Sequence, residues 1–395
     1  MLEAIPVLMY HSIAPEIEGW AFKYLSIDPE VFEGHVAVLA SAGYKSVSLH
    51  ELYQYVSGSR SLPPKSLVLT FDDGYLDNWV FAFPILRKYG FKATVFVSTD
   101  FVNPTNVVHP ILENAWHGGY QWKNLTVGGF LNQAEIRNML ASGLIDFQAH
   151  CKTHTWYFTG KDIVDFHHPG NGYPWLAWNA RPERKHRYLE EDQSDYVPFG
   201  SPVYVHEKSL IARRYFPDPD VEKACSEYVY TNGGKSFFEK PDWKRDLLEI
   251  VQRAISGSKS DRYETQEERV TRLREEIVLS KKDLERLLDR PVEFLCWPGG
   301  SYDQLAVDLA REAGYLAWTL GSRAVSRKRN MPGEDPAWIK RIAVVPWWYY
   351  RGRKTCLVDG KFLRLIIEDY KGFAFSGARL KWYKLAKLFQ SGLKP

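Results

Sequence analysis

The chain is 395 residues long, 45% hydrophobic and 25% charged, with 14 Trp, 23 Tyr and a formal net charge of +3. These figures fit one large α/β domain with additions, or two domains, and a total charge this small gives no argument for a nucleic-acid partner. Cys151, Cys225, Cys296 and Cys356 form no CxxC pair, which argues against a disulfide framework or a zinc ribbon. No apolar run is long enough to span a bilayer, and the first residues lack the basic start and apolar stretch of a secretion signal, so a cytoplasmic protein is expected.

Ile5–Tyr10 reads as a first strand that delivers His11 at its carboxyl end. A helix is predicted from Asp28 to Ala42, with Asp28 as N-cap, Pro29 in the first turn and Gly43 as terminator. Tyr44–Val47 is a short strand, and Ser48 caps the helix that follows it. Ser66–Phe71 is a buried strand emptying into Asp72-Asp73-Gly74-Tyr75. Leu76–Tyr89 is helical, kinked at Pro84 and closed by Gly90, and Ala93–Val97 is the next strand. After a loop over residues 101–130 come a helix, Gln133–Ala141, and a strand, Leu144–Ala149, ending at His150. Strand and helix alternate, which predicts a parallel α/β sheet or barrel.

From residue 155 to 264 that rhythm stops. The stretch is rich in Pro, Gly, Tyr and Trp and is too aromatic for a disordered linker, so it is expected to be an insertion over one face. The alternation resumes with a long charged helix, Thr265–Leu288, and a strand, Val292–Trp297, that ends in Pro298-Gly299-Gly300. A helix over Asp303–Ala313, a strand over Leu316–Thr319 and a strand over Ile339–Val345 carrying Arg341 complete it. From Arg351 onward eleven Lys/Arg face three Asp/Glu. Within that extension, 378–393 fits a helix with Trp382, Leu385, Ala386 and Phe389 on one face and Lys381, Lys384 and Lys387 on another. Such a helix either lies on an anionic membrane surface, which would place the protein at the inner face of the membrane, or docks on the barrel.

Adjacent carboxylates repel unless a cation or a shared proton relieves them, so Asp72-Asp73 is either an acidic turn or part of a charged site. His150 and His154, spaced H-x3-H at another strand end, add two imidazoles. With one carboxylate they make three N/O ligands and leave positions open for water and substrate. His11, Asp72-Asp73, His150-His154 and the Trp297-Pro298-Gly299 turn all fall at strand carboxyl ends, the face on which α/β sheets bind ligands. The high aromatic content suits a sugar-binding surface or a large core, and Trp175/Trp178 and Trp347–Tyr350 stack on sugar rings or pack the additions in place. Phe166-His167-His168 is a weaker candidate for a second metal.

On Thr70-Phe71-Asp72-Asp73-Gly74-Tyr75, His150-x3-His154 and Trp297-Pro298-Gly299-Gly300 the sequence resembles the polysaccharide deacetylase family of metal-dependent carbohydrate esterases. The opening Pro6–Ser12 is similar to the exopolysaccharide-deacetylase branch. The resemblance covers about residues 1–155 and 265–345. It implies a distorted (β/α) barrel of about seven strands over 1–345, interrupted by the 155–264 insertion and followed by the basic extension 346–395. It further implies one divalent metal, by default zinc with cobalt, nickel or iron as alternatives, held by Asp73, His150 and His154. Asp72 would be the general base, Tyr75, Trp297, Pro298 and Gly299 would face the substrate or its oxyanion, and the substrate would be an N-acetylated glycan, lipid-linked or free. Two positions depart from the family pattern. No histidine follows His206, leaving His11 as general acid or as a core hydrogen-bonding residue, and Cys296 stands where an arginine is common. Arg341 either replaces that arginine beside Asp72 or forms a surface ion pair. A glycan-binding pseudoenzyme and a membrane-surface scaffold are the alternatives to an enzyme.

Overall fold

The computed structural model describes residues 3–17, 20, 22–116, 121–255, 260–321 and 328–390. Its centre is a curled, all-parallel sheet of distorted-barrel type, as expected. Ser66–Phe71, wholly buried, runs between Val7–Tyr10 and Ala93–Val97, and the sheet continues through Ile145–Ala149, Phe294–Leu295 and Ala317–Thr319. Lys45–Ser46 pairs beside Ser66-Leu67. Strands buried on both faces need near-continuous apolar runs, and Leu67-Val68-Leu69 and Val95-Phe96-Val97 supply them.

The predicted strand Ile339–Val345 is two short strands instead. Trp338–Ile339 pairs with Ala317–Thr319 at one edge of the sheet, and Ile342–Ala343 pairs with Val7–Tyr10 at the other. One segment therefore joins both edges, and Lys340-Arg341 is the bend between them. No single straight strand could reach both edges. Val292–Trp297 is likewise ladder-paired only at Phe294–Leu295, because Trp297 already turns away toward Thr319, whose hydroxyl accepts its N–H at 3.2 Å.

The helices begin as their caps dictate. Asp28 accepts from Glu30, while Ser48, Asn132 and Thr265 each form a capping box with the Glu three residues on. Pro84 sits in the first turn of its helix, Phe83–Tyr89. The turn before it, Asn78–Ala82, is wound wider as a π-turn, which accommodates the missing amide hydrogen. The long charged helix also contains a π-turn, Glu275–Leu279.

The 155–264 insertion folds around a long antiparallel pair, Trp156–Phe166 with Pro202–Lys208, and two helices, Pro219–Thr231 and Trp243–Ile255. It has its own core of Phe166, Val221, Cys225, Val229, Phe237, Leu247 and Val251. His167 belongs to this packing. Its ring stacks on Phe199, with Nε2 against the Ser194 carbonyl and Nδ1 against Asn171, so it has no nitrogen left for a metal.

Beyond residue 345, Trp347–Tyr350 pairs with Arg353–Leu357, and Trp348 packs on Phe362 rather than in a sugar groove. Helix Gly360–Lys371 lies across Pro29–Ser41 and sends Leu363 and Ile367 into the main core. The crossing is close: a Cβ on Gly360 would meet the Gly34 carbonyl at 2.6 Å. Ser376–Gln390 is the last helix, and residues 391–393 of the predicted one lie outside the described residues.

Candidate active site

All strands of the barrel point the same way, so their carboxyl ends share one mouth. A cavity of about 680 Å³ opens there, lined by His11, Asp72, Asp73, Tyr75, His150, His154, Trp297, Gly299 and Arg341 among others. The predicted residues are thus brought together, with one exception: Pro298 is buried beneath the turn and does not line the cavity.

Asp73 leaves its strand with φ of 75°, a left-handed conformation tolerated by Asp more readily than by branched residues. This turns its carboxylate away from Asp72 and toward the histidines: Oδ1 lies 3.2 Å from His150 Nε2 and 3.3 Å from His154 Nε2. Burial opposes ionisation of Asp73, but His154 and His150 outweigh it and hold the carboxyl well below the usual range. Burial holds the His154 imidazole down at about 4, so it is neutral at physiological pH. His150 Nδ1 lies 2.8 Å from the Cys296 carbonyl and donates to it, which leaves Nε2 facing Asp73; burial opposes its charged form, but Cys296 and Asp73 outweigh burial and raise this imidazole. Asp73 Oδ1 nonetheless has no hydrogen-bond partner among the described residues although it is buried. Two imidazole nitrogens crowding a buried carboxylate oxygen that lacks a hydrogen-bond partner form the donor set of a divalent cation, and the three residues fit one. The neighbouring group Asp72, His150 and Cys296 is also close enough together. There, however, the Arg341 guanidinium already occupies both Asp72 and Cys296, and its charge opposes a cation.

Asp72 is 3% exposed and receives both prongs of Arg341. Burial works against its charge, but Arg341 outweighs burial and keeps the carboxyl low. The bend at Lys340-Arg341 is what aims this side chain inward from the closing segment, and Cys296 is small enough to make room. The Arg341 pair is therefore not on the surface. His11 approaches from the other side, Nε2 3.9 Å from Asp72 Oδ2. Tyr75 stacks on Phe130, and burial, reinforced by Asp73, keeps its hydroxyl protonated.

Several supporting residues were not anticipated. Asp77, one turn beyond the aspartates, accepts from the Ser12 hydroxyl at 2.7 Å and the Ile13 amide at 2.8 Å, and Asn78 donates to the His11 carbonyl at 2.9 Å. Together they fix the loop carrying His11. Burial raises the Asp77 carboxyl to about 6. Glu276, on the π-turn of the long helix, receives the Thr153 amide at 2.9 Å, the Lys152 amide at 3.2 Å and the Thr153 hydroxyl, fastening the loop between the two histidines. The insertion contributes Trp156, Trp178, Tyr188 and Lys208 to the cavity wall. Lys208 Nζ donates to the Gly299 carbonyl at 2.6 Å, across a glycine whose Cβ would clash with that lysine at 2.5 Å. Of these, Trp178 is already a sugar-stacking candidate in the sequence; for the rest the only hint there is the aromatic content of the insertion.

Residues 59–193 match the family model described as polysaccharide deacetylase. That match covers about a third of the chain. YxkH of Bacillus subtilis (strain 168) is 37% identical over 93 residues, which is 24% of this chain and 31% of that protein. The poly-beta-1,6-N-acetyl-D-glucosamine N-deacetylase of Escherichia coli (strain K12) is 31% identical over 86 residues, 22% of this chain and 12% of that protein. The alignments thus span under a third of either relative's length. Among solved structures, the de-N-acetylase from Aggregatibacter actinomycetemcomitans superposes with a TM-score of 0.53 at 19% identity, covering 88% of this chain and 98% of that one. That likeness is one of fold, over 88% of this chain.

Proposed function

We propose that the protein is a metal-dependent hydrolase that removes N-acetyl groups from amino sugars of a polysaccharide, an oligosaccharide or a lipid-linked glycan. The observation that carries this reading is the convergence of Asp73, His150 and His154, their ligand atoms within 4.8 Å of one another, beside an Asp72 that Arg341 keeps ionised. Zinc is the expected ion, and when bound it supplies Lewis acidity for the acetamide carbonyl and makes water more acidic. Asp72 takes the proton from the attacking water as its oxygen bonds to the acetamide carbon. His11, 3.9 Å from Asp72, stands where it can give a proton to the departing amine as the C–N bond breaks. Acetate and a free amino sugar result. Arg341 orients Asp72, and the backbone amide of Gly299 is offered to the oxyanion. Trp156, Trp178 and Tyr188 are placed to stack on sugar rings.

The names of the Escherichia coli and Staphylococcus aureus relatives make a β-1,6-linked N-acetylglucosamine oligomer the first substrate to try. The test is acetate release from a panel of N-acetylated oligosaccharides and lipid-linked sugars, with and without chelator. Release that stops on chelation and returns with zinc supports the proposal. Release that survives complete metal removal overturns it.

A further inference from the structure

The last helix, Ser376–Gln390, has two apolar faces, and only one of them is used. Leu388 is buried, and Leu380 and Tyr383, partly buried, pack against Cys356, Val358 and Phe362 of the extension. The opposite face carries Trp382 at 72% exposed and Phe389 at 69%, with Phe375 at 83% just before the helix starts. Trp382 and Phe389 are seven residues apart, two helical turns, so they stand in line about 10 Å apart along the axis. Ala378 and Ala386 fall on the same arc, with Arg379 and Lys381 at its two borders. The helix therefore docks on the protein, but not through the face bearing Trp382 and Phe389.

Charge decides what covers that face. Eleven Lys/Arg against three Asp/Glu follow residue 350, and two of the acids are engaged within the protein. Asp359 caps a helix, and Glu368 pairs with Arg364 and Arg379. Lys384 and Lys387 lie over the rings of Trp348 and Tyr383 on the docked side of the helix, while exposed Lys381 borders the apolar row. A second copy of this surface would bring the same cationic excess face to face, which disfavours self-association. No helix among the described residues is long and apolar enough to cross a membrane. We propose that this face docks on the surface of an anionic lipid bilayer, with Trp382 and Phe389 inserted at the headgroup level and the lysines and arginines drawing in anionic lipid.

The test uses the full chain with vesicles of phosphatidylcholine alone and of phosphatidylcholine with phosphatidylglycerol, at low and high salt. The chain should partition onto the anionic vesicles at least tenfold better than onto the neutral ones, and 0.5 M salt should remove most of that preference. The double variant Trp382→Ala/Phe389→Ala should bind tenfold or more weakly, with an unchanged melting temperature and unchanged hydrolysis of a soluble acetamide. Equal partitioning of wild type and variant would sink the proposal. So would equal binding to neutral and anionic vesicles, or a concentration-dependent dimer that the double variant abolishes. The vesicle-binding and oligomer readouts do not depend on the proposed chemistry.

Discussion

Arg341 grips Asp72 with both prongs of its guanidinium, Nη1 to Oδ1 at 2.7 Å and Nη2 to Oδ2 at 2.8 Å, from a strand segment 269 residues further along the chain. Fork-to-fork pairing of this kind fixes direction as well as charge. Arg341→Lys keeps a positive charge but loses the fork, so turnover should fall about 10- to 100-fold. Arg341→Ala leaves a buried carboxylate uncompensated and should destabilise the fold by roughly 3–5 kcal/mol. Because Arg341 lowers the Asp72 carboxyl, activity should persist toward acid in the wild type. The acid limb of the rate profile should move toward neutral pH in Arg341→Lys. An unmoved acid limb would remove Arg341 from this role.

The two neighbouring aspartates should separate by assay. Asp72→Asn is expected to retain metal while losing turnover by three orders of magnitude or so, within the span that loss of a general base produces. His150→Ala is expected to lose metal. Elemental analysis of both purified variants checks this, and full metal content in His150→Ala would refute the ligand assignment.

Glu276 reaches the histidine loop from the π-turn of a helix that supplies nothing else to the mouth. Glu276→Ala removes the acceptor from the Lys152 and Thr153 amides and from the Thr153 hydroxyl. Metal affinity should drop 10- to 100-fold, as when groups behind metal ligands are removed, with KM for a soluble substrate little changed at saturating metal. Titration with a fluorescent chelator as competitor measures it.

Asp77 gives a pH signature of its own. Its carboxyl is raised to about 6, so the folded state binds that proton more tightly than the unfolded chain does. The stability this contributes is fully present below the unfolded pKa of about 4 and is lost as pH rises through about 6, amounting to roughly 3 kcal/mol. Asp77→Asn can keep accepting the Ile13 amide and carries no charge to bury. Urea unfolding at pH 4, 5, 6 and 7 should therefore show the variant gaining on the wild type as pH rises. Parallel curves would contradict this.

What could be read from the sequence was local. A buried run ending in two carboxylates, a histidine pair at a strand end, and Ser, Asp or Thr ahead of amphipathic stretches carry their meaning within a few residues, and the structure keeps all of them. What could not be read depends on distant approach. Arg341 was recognisable as a basic residue on a late strand, but its inward aim comes from a bend that exists only because two opposite sheet edges compete for one segment. Glu276 lies in the charged run Glu275-Glu276 and has no local mark to distinguish it from a solvated helix face. Pro298 matched a motif yet turned inward, since the motif defines the turn and not which of its side chains faces the cavity. The insertion announced its aromatics but not that Lys208 would lie over Gly299.

The segment 338–343 that joins the two sheet edges also sets the order in which the molecule can be completed. During synthesis, Val7–Tyr10 emerges first and stays an open edge until Ile342–Ala343 arrives more than 300 residues later. For that interval Asp72 has no guanidinium partner, and the sheet offers unpaired backbone groups at both ends, the kind of edge that recruits other chains. A chain cut before Trp338 should therefore be aggregation-prone as well as inactive, even with Asp72, Asp73, His150 and His154 all present.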